Sequence, residues 1–99
     1  MMIVKTTVGS RADAKRIARA LLSSGFAGCV SFWEVESAYI WEGKKIRGKE
    51  FLIEAKCKGK KEAKKATGLL LRIHPYGLPM VASCNASVNR SYGRWLSGK

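Results

Sequence analysis

The 99-residue chain carries one histidine, His74, and three cysteines, Cys29, Cys57 and Cys84. A neutral imidazole and a thiolate are the ligand pair that suits copper or zinc. His74 is followed by Pro75-Tyr76-Gly77-Leu78-Pro79, so two prolines stiffen the backbone beside the ring. An imidazole held that way near a thiol can serve a metal. The plainer reading is a histidine favoured by a helix C-terminus and cysteines acting as small buried apolar residues. No Cys-x-x-Cys pair is present, and the odd cysteine count points to reduced thiols.

Catalysis finds less support. No carboxylate stands near His74 in the sequence, and the seven acids are scattered along the chain. An acid–base pair needs two titratable groups within hydrogen-bond reach, and no spacing here implies one. Neither phosphate-cradling glycine motif, Gly-x-x-x-x-Gly-Lys-Ser/Thr or Gly-x-Gly-x-x-Gly, occurs. A Cys29–His74 nucleophile and base is the one arrangement left. The residues read as a non-enzyme.

Charge is the most unusual number: 19 Lys and Arg against seven Asp and Glu, a formal net of +12. Lys44, Lys45, Arg47 and Lys49 form one cluster, and Lys56, Lys58, Lys60, Lys61, Lys64 and Lys65 another. Such an excess favours polyanionic partners, if only through non-specific attraction. A nucleic-acid-binding module is therefore the alternative reading. The RNA-recognition signature, however, needs three rings on one strand, and Arg47-Gly48-Lys49-Glu50-Phe51-Leu52-Ile53-Glu54 supplies only Phe51. No run of about 18 apolar residues exists, so no membrane partner is expected. Met1 to Thr7 lacks the apolar centre of an export signal, which makes the cytoplasm the expected location.

Several elements must position these residues. Residues 2–8 are β-branched and apolar, as in a buried strand. Ser10 is a helix N-cap with Asp13 in the first turn, and Ala14, Ile17, Ala18, Leu21 and Leu22 form one apolar stripe ending before Gly25. Residues 27–58 read as an extended β-hairpin turning at Glu42-Gly43, its first half one long strand or two joined by a bulge. Phe51, Ile53, Ala55 and Cys57 share one face of its second half. Residues 60–73 repeat Ala63, Ala66, Leu70 and Ile73 at helical spacing, with Gly68 a weak point and Pro75 a stop. A short strand over 80–86 and a terminal helix over 89–96 complete the chain. The order β-α-β-β-α-β specifies a single α+β domain over 1–99, a ferredoxin-like sandwich with a four-stranded antiparallel sheet. The hairpin is longer than such a core needs, and long arms often serve subunit contacts.

Read in order, six blocks resemble the CutA divalent-cation-tolerance family. They are Thr6-Thr7-Val8 with Ser10-Arg11; Ala27-Gly28-Cys29-Val30; Ser37-Ala38-Tyr39-Ile40-Trp41-Glu42-Gly43-Lys44; Lys56; His74-Pro75-Tyr76-x-x-Pro79; and Tyr92-x-x-Trp95-Leu96. The resemblance implies a homotrimer built through the long central strands and a role in tolerance to divalent metals, copper above all. It implies no firm enzymatic activity and no required cofactor. It makes Cys29 and His74 the candidate metal ligands, with Trp41, Lys56 and Tyr76 lining the cleft between subunits. This chain has Gly77 where the family usually has an acid or amide, and Met80 where it has glutamate. Exchanging a hard oxygen for a thioether points to Cu(I) over harder ions.

Overall fold

Strand β1, Met2–Val8, turns Val4, Thr6 and Val8 to one buried face and leaves the alternate residues half-exposed. In the computed structural model, which describes residues 1–98, the chain next enters helix α1, Arg11–Ser23. Ser10 Oγ accepts the Asp13 N–H at 3.1 Å, the cap expected of that residue pair. Ala14, Ile17, Ala18 and Leu21 are the buried stripe. Gly25, at φ +77°, takes the left-handed turn that releases the chain from the helix.

Strand β2, Cys29–Trp41, and strand β3, Lys44–Cys57, then pair without interruption from Cys29 opposite Lys56 to Trp41 opposite Lys44. No bulge divides β2. The two residues between the strands, Glu42 and Gly43, both have positive φ (51° and 77°), the I′-type geometry that matches strand twist. Helix α2, Lys60–Ile73, buries Ala63, Ala66 and Leu70. Strand β4, Val81–Asn85, and the short helix α3, Arg90–Leu96, follow.

The four strands form one antiparallel sheet in the order β2-β3-β1-β4, the ferredoxin-like arrangement. α1 and α2 cover one face. Val4, Val8, Ile53, Ala55, Cys57, Ile17, Leu21 and Leu70 make the core between the layers. β1 pairs only with residues 51–57 of β3, so the far half of the hairpin projects as a two-stranded arm. The molecule is accordingly elongated, 48 × 24 × 20 Å.

The face away from the helices carries large exposed apolar side chains among its polar ones. Alternation places Trp33, Val35, Tyr39 and Trp41 of β2 there, opposite Leu52, Glu50, Ile46 and Lys44 of β3. Trp33 is 43% exposed, Tyr39 48% and Trp41 49%. Ile40, on the other side of the arm tip, is 70% exposed. α3 buries none of its own residues. It reaches back to the start of β2, where Leu96 Cδ1 would stand 2.7 Å from a Cβ at Gly28.

Gly68 is exposed within α2, and a Cβ there would meet nothing within 4 Å. Gly68→Ala is therefore expected to stabilise the fold by about 0.5–1 kcal/mol. A higher urea midpoint at unchanged m-value is the expected readout, and an unchanged or lower midpoint contradicts it.

Candidate functional site

The segment after α2 is anchored through His74. Its Nδ1 accepts the Tyr76 backbone N–H at 3.1 Å, which assigns the ring proton to Nε2. Nε2 then donates to Thr6 Oγ1 at 2.9 Å, and the Thr6 hydroxyl donates to the Met80 carbonyl at 2.6 Å. Thr6 is the one buried polar residue among those described, lying at 0% exposure in the core face of β1. A hydroxyl there needs partners, and the loop supplies both. Burial depresses the His74 pKa below its ordinary 6.5, so the ring is neutral at pH 7.

Two residues on, Tyr76 hangs beyond the end of β1 and donates its hydroxyl to Glu50 Oε2 at 2.8 Å. Its ring end packs over Gly9, where a Cβ would lie in ordinary contact, 3.4 Å from the Tyr76 hydroxyl. Burial alone would raise the Glu50 pKa, but hydrogen bonds from Ser37, Tyr76 and Thr7 outweigh it and hold the carboxyl below its usual value. Burial, followed by the bond to Glu50, pushes the Tyr76 hydroxyl well above the ordinary tyrosine range. Among the described residues no lysine or arginine pairs with Glu50. In a chain of net charge +12, this carboxylate takes a hydrogen bond from a neutral hydroxyl, that of Tyr76.

Glu50 lines a groove of about 890 Å³ between the arm and the loop. Tyr39, Trp41 and Ile46 line it from the arm, and Tyr76, Leu78 and Met80 from the loop. The expected cleft residues Trp41 and Tyr76 thus share one groove. Lys56 does not join them within a chain. It lies at the other end of the sheet, opposite Cys29, where its Nζ donates to Ser31 Oγ at 2.8 Å and sits 3.8 Å from Glu54.

The two expected metal ligands are also apart. Cys29 pairs with Lys56, whose neighbours Ala55 and Cys57 are buried under the helices, so Cys29 faces the open side. There it meets the Tyr92 hydroxyl of α3. His74 bonds to Thr6 on the helix side, with both ring nitrogens engaged. Among the described residues no group of three His, Cys, Asp or Glu could hold a metal ion. The donors of one chain do not fit a metal site. Of the other cysteines, Cys57 is buried as expected, whereas Cys84 is exposed because β4 is an edge strand.

Sequence reasoning missed Glu50 and Thr6. Glu50 follows the strand alternation and gives no local signal. Thr6 does give one, as the sole hydroxyl between Val4 and Val8 on the core face.

This fold and groove define a class: ferredoxin-like chains with an oversized hairpin arm, a proline-bounded loop and a bare apolar sheet face. The model of the CutA1 divalent ion tolerance protein family matches residues 2–99. The Divalent-cation tolerance protein CutA of Thermococcus kodakarensis is 33% identical over 97 residues, covering 97% of this chain and 92% of the relative. The protein of the same name from Thermus thermophilus is 35% identical, covering 95% and 92%. The crystal structure of CutA1 from Pyrococcus horikoshii superposes with a TM-score of 0.92 at 27% identity, covering 99% and 96%. The chain belongs to the CutA divalent-cation-tolerance family.

Because folded His74 binds its proton more weakly than an unfolded histidine, the unfolded chain is protonated first as pH falls. The contribution is whole above pH 6.5 and is lost as pH drops through the lower folded value. Urea midpoints at pH 7.5 and 5.5 are expected to show this loss. His74→Asn should be less stable at pH 7.5 and show a smaller drop between the two; an equal drop assigns the effect elsewhere.

Proposed function

We propose that this chain works as a homotrimeric divalent-cation-responsive protein of the CutA type, in the cytoplasm, with copper as its ion and without enzymatic activity. The observation that carries the trimer is the bare apolar face running from Trp33 to Trp41 along an arm that projects past its own core. Exposed apolar patches of this kind mark association surfaces. Ile40 on the reverse side of the tip favours an arm held between neighbours rather than one laid on a surface. Reduced, unpaired thiols suit the cytoplasm, and no described helix is long and apolar enough to cross a membrane.

For the ion, the support is the family's name and the chemistry of Cys29. The thiol lies on the face that a trimer covers, so association can gather donors that one chain keeps apart. His74 can join only by releasing the Tyr76 amide. In this reading Lys56, beside Cys29, would meet the groove containing Trp41 and Tyr76 across the subunit boundary.

Light scattering on a sizing column is expected to give three times the chain's 10.9 kDa, independent of salt. Trp33→Asp combined with Tyr39→Asp should dissociate it; a wild-type monomer sinks the assembly. Anaerobic titration under reducing conditions should show Cu(I) binding tighter than Zn(II), with Cys29→Ser weakening Cu(I) at least tenfold. Tighter zinc, or no effect of the serine, removes the copper reading.

A further inference from the structure

Nine of the chain's 19 cations lie on α1 and α2, the two helices that cover one side of the sheet. α1 exposes Arg11, Lys15 and Arg19 at successive intervals of four residues, a single stripe down the helix. α2 exposes Lys60, Lys61, Lys64 and Lys65 in its first two turns and Arg72 in its last. The arm does not extend the array, because on this side Lys45, Arg47 and Lys49 share the strand face with Glu34 and Glu36, and Lys49 lies 3.9 Å from Glu34. Against this array the two helices carry only Asp13 and Glu62. Among the described residues, Arg16 with Asp13 is the one ion pair within the helical layer. Like charges repeat at i and i+4 in both helices, a spacing that destabilises them and that mixed charges would avoid. A surface serving solubility alone has no need of that arrangement.

We propose that this helical layer is a docking surface for the phosphate backbone of double-stranded nucleic acid, read without regard to sequence. Three features select this partner. The layer is about 20 Å long, from 13 or 14 residues at 1.5 Å each, and faces about twelve duplex charges at one per 1.7 Å. It has no ring free for base stacking, which single strands require. Phe51 is buried beneath the Arg11 guanidinium and Phe26 lies under Lys65, while every Trp and Tyr stands elsewhere. Nor does it offer an apolar stripe to enter a bilayer. Its exposed Leu22 and Leu71 end the two antiparallel helices and so sit at opposite ends of the layer. The surface lies on the far side of the sheet from the apolar face. It is therefore open whether the chain is alone or assembled, and the inference does not rest on the trimer.

The test is fluorescence anisotropy with two 20-base-pair DNA duplexes of unrelated sequence, titrated between 50 and 200 mM salt. Equal affinities are expected for the two sequences, with a loss of about a thousandfold across that range if six phosphates are engaged. Removing three layer charges (Lys61→Gln, Lys64→Gln, Lys65→Gln) should reduce the log–log salt slope by about 2–3 units. The same loss placed outside the layer (Lys44→Gln, Arg90→Gln, Arg94→Gln) should leave the slope within about one unit of the parent. All six positions are exposed, and circular dichroism verifies that both variants fold. The proposal is overturned by absent binding at 100 mM salt or by equal effects of the two variants. Tighter binding to single strands, or to vesicles of anionic phospholipid, than to the duplex overturns it as well.

Discussion

The uninterrupted antiparallel pairing of β2 with β3 is the constraint on which the rest of the molecule depends. Strand side chains alternate with a period of two, so a slip of one residue would exchange the two faces completely. The observed register places Phe51, Ile53, Ala55 and Cys57 under the helices and commits Trp33, Tyr39 and Trp41 to the opposite side. The buried core and the bare apolar face are thus two results of one alignment. The Glu42-Gly43 turn sets it, because a two-residue loop with positive φ at both positions leaves only one way for the strands to meet.

The groove depends on a second, shorter chain of bonds. Thr6 puts a hydroxyl where the core wants carbon, and its partners come from a loop 68 and 74 residues away. That loop is held in place by the requirement that a buried polar group be bonded. Once held, it brings Tyr76 over Gly9 and onto Glu50. His74 is therefore first a structural residue, fixing the loop through both ring nitrogens. The proline-bounded segment owes its shape as much to the strand beneath it as to its own prolines.

Charge follows the same geometry. Four of the seven acids lie on β2 and β3, whereas most exposed cations of α1 and α2 have no partner in their layer. The sheet thereby sets a face with exposed Trp33, Tyr39 and Trp41 against a cationic helical layer. The two can act independently, since neither requires the other to be uncovered.

Much of this was legible in the chain itself. The apolar stripe of α1, the alternation after Gly48 and the stop at Pro75 specify their elements through local periodicity and backbone sterics, which need no tertiary partner. Ordered motifs from Thr6 to Leu96 were sufficient for the family. What the sequence could not decide was which side chains meet. Cys29 and His74 look like a pair by ligand type, yet strand register and sheet order put them on opposite faces. Glu50 looks like one more strand acid, yet the Tyr76 hydroxyl, 26 residues on in the loop, bonds to it. Periodicity is a property of neighbours along the chain. A site is made by groups far apart in sequence, and only the packing of one layer on another brings them within bonding distance.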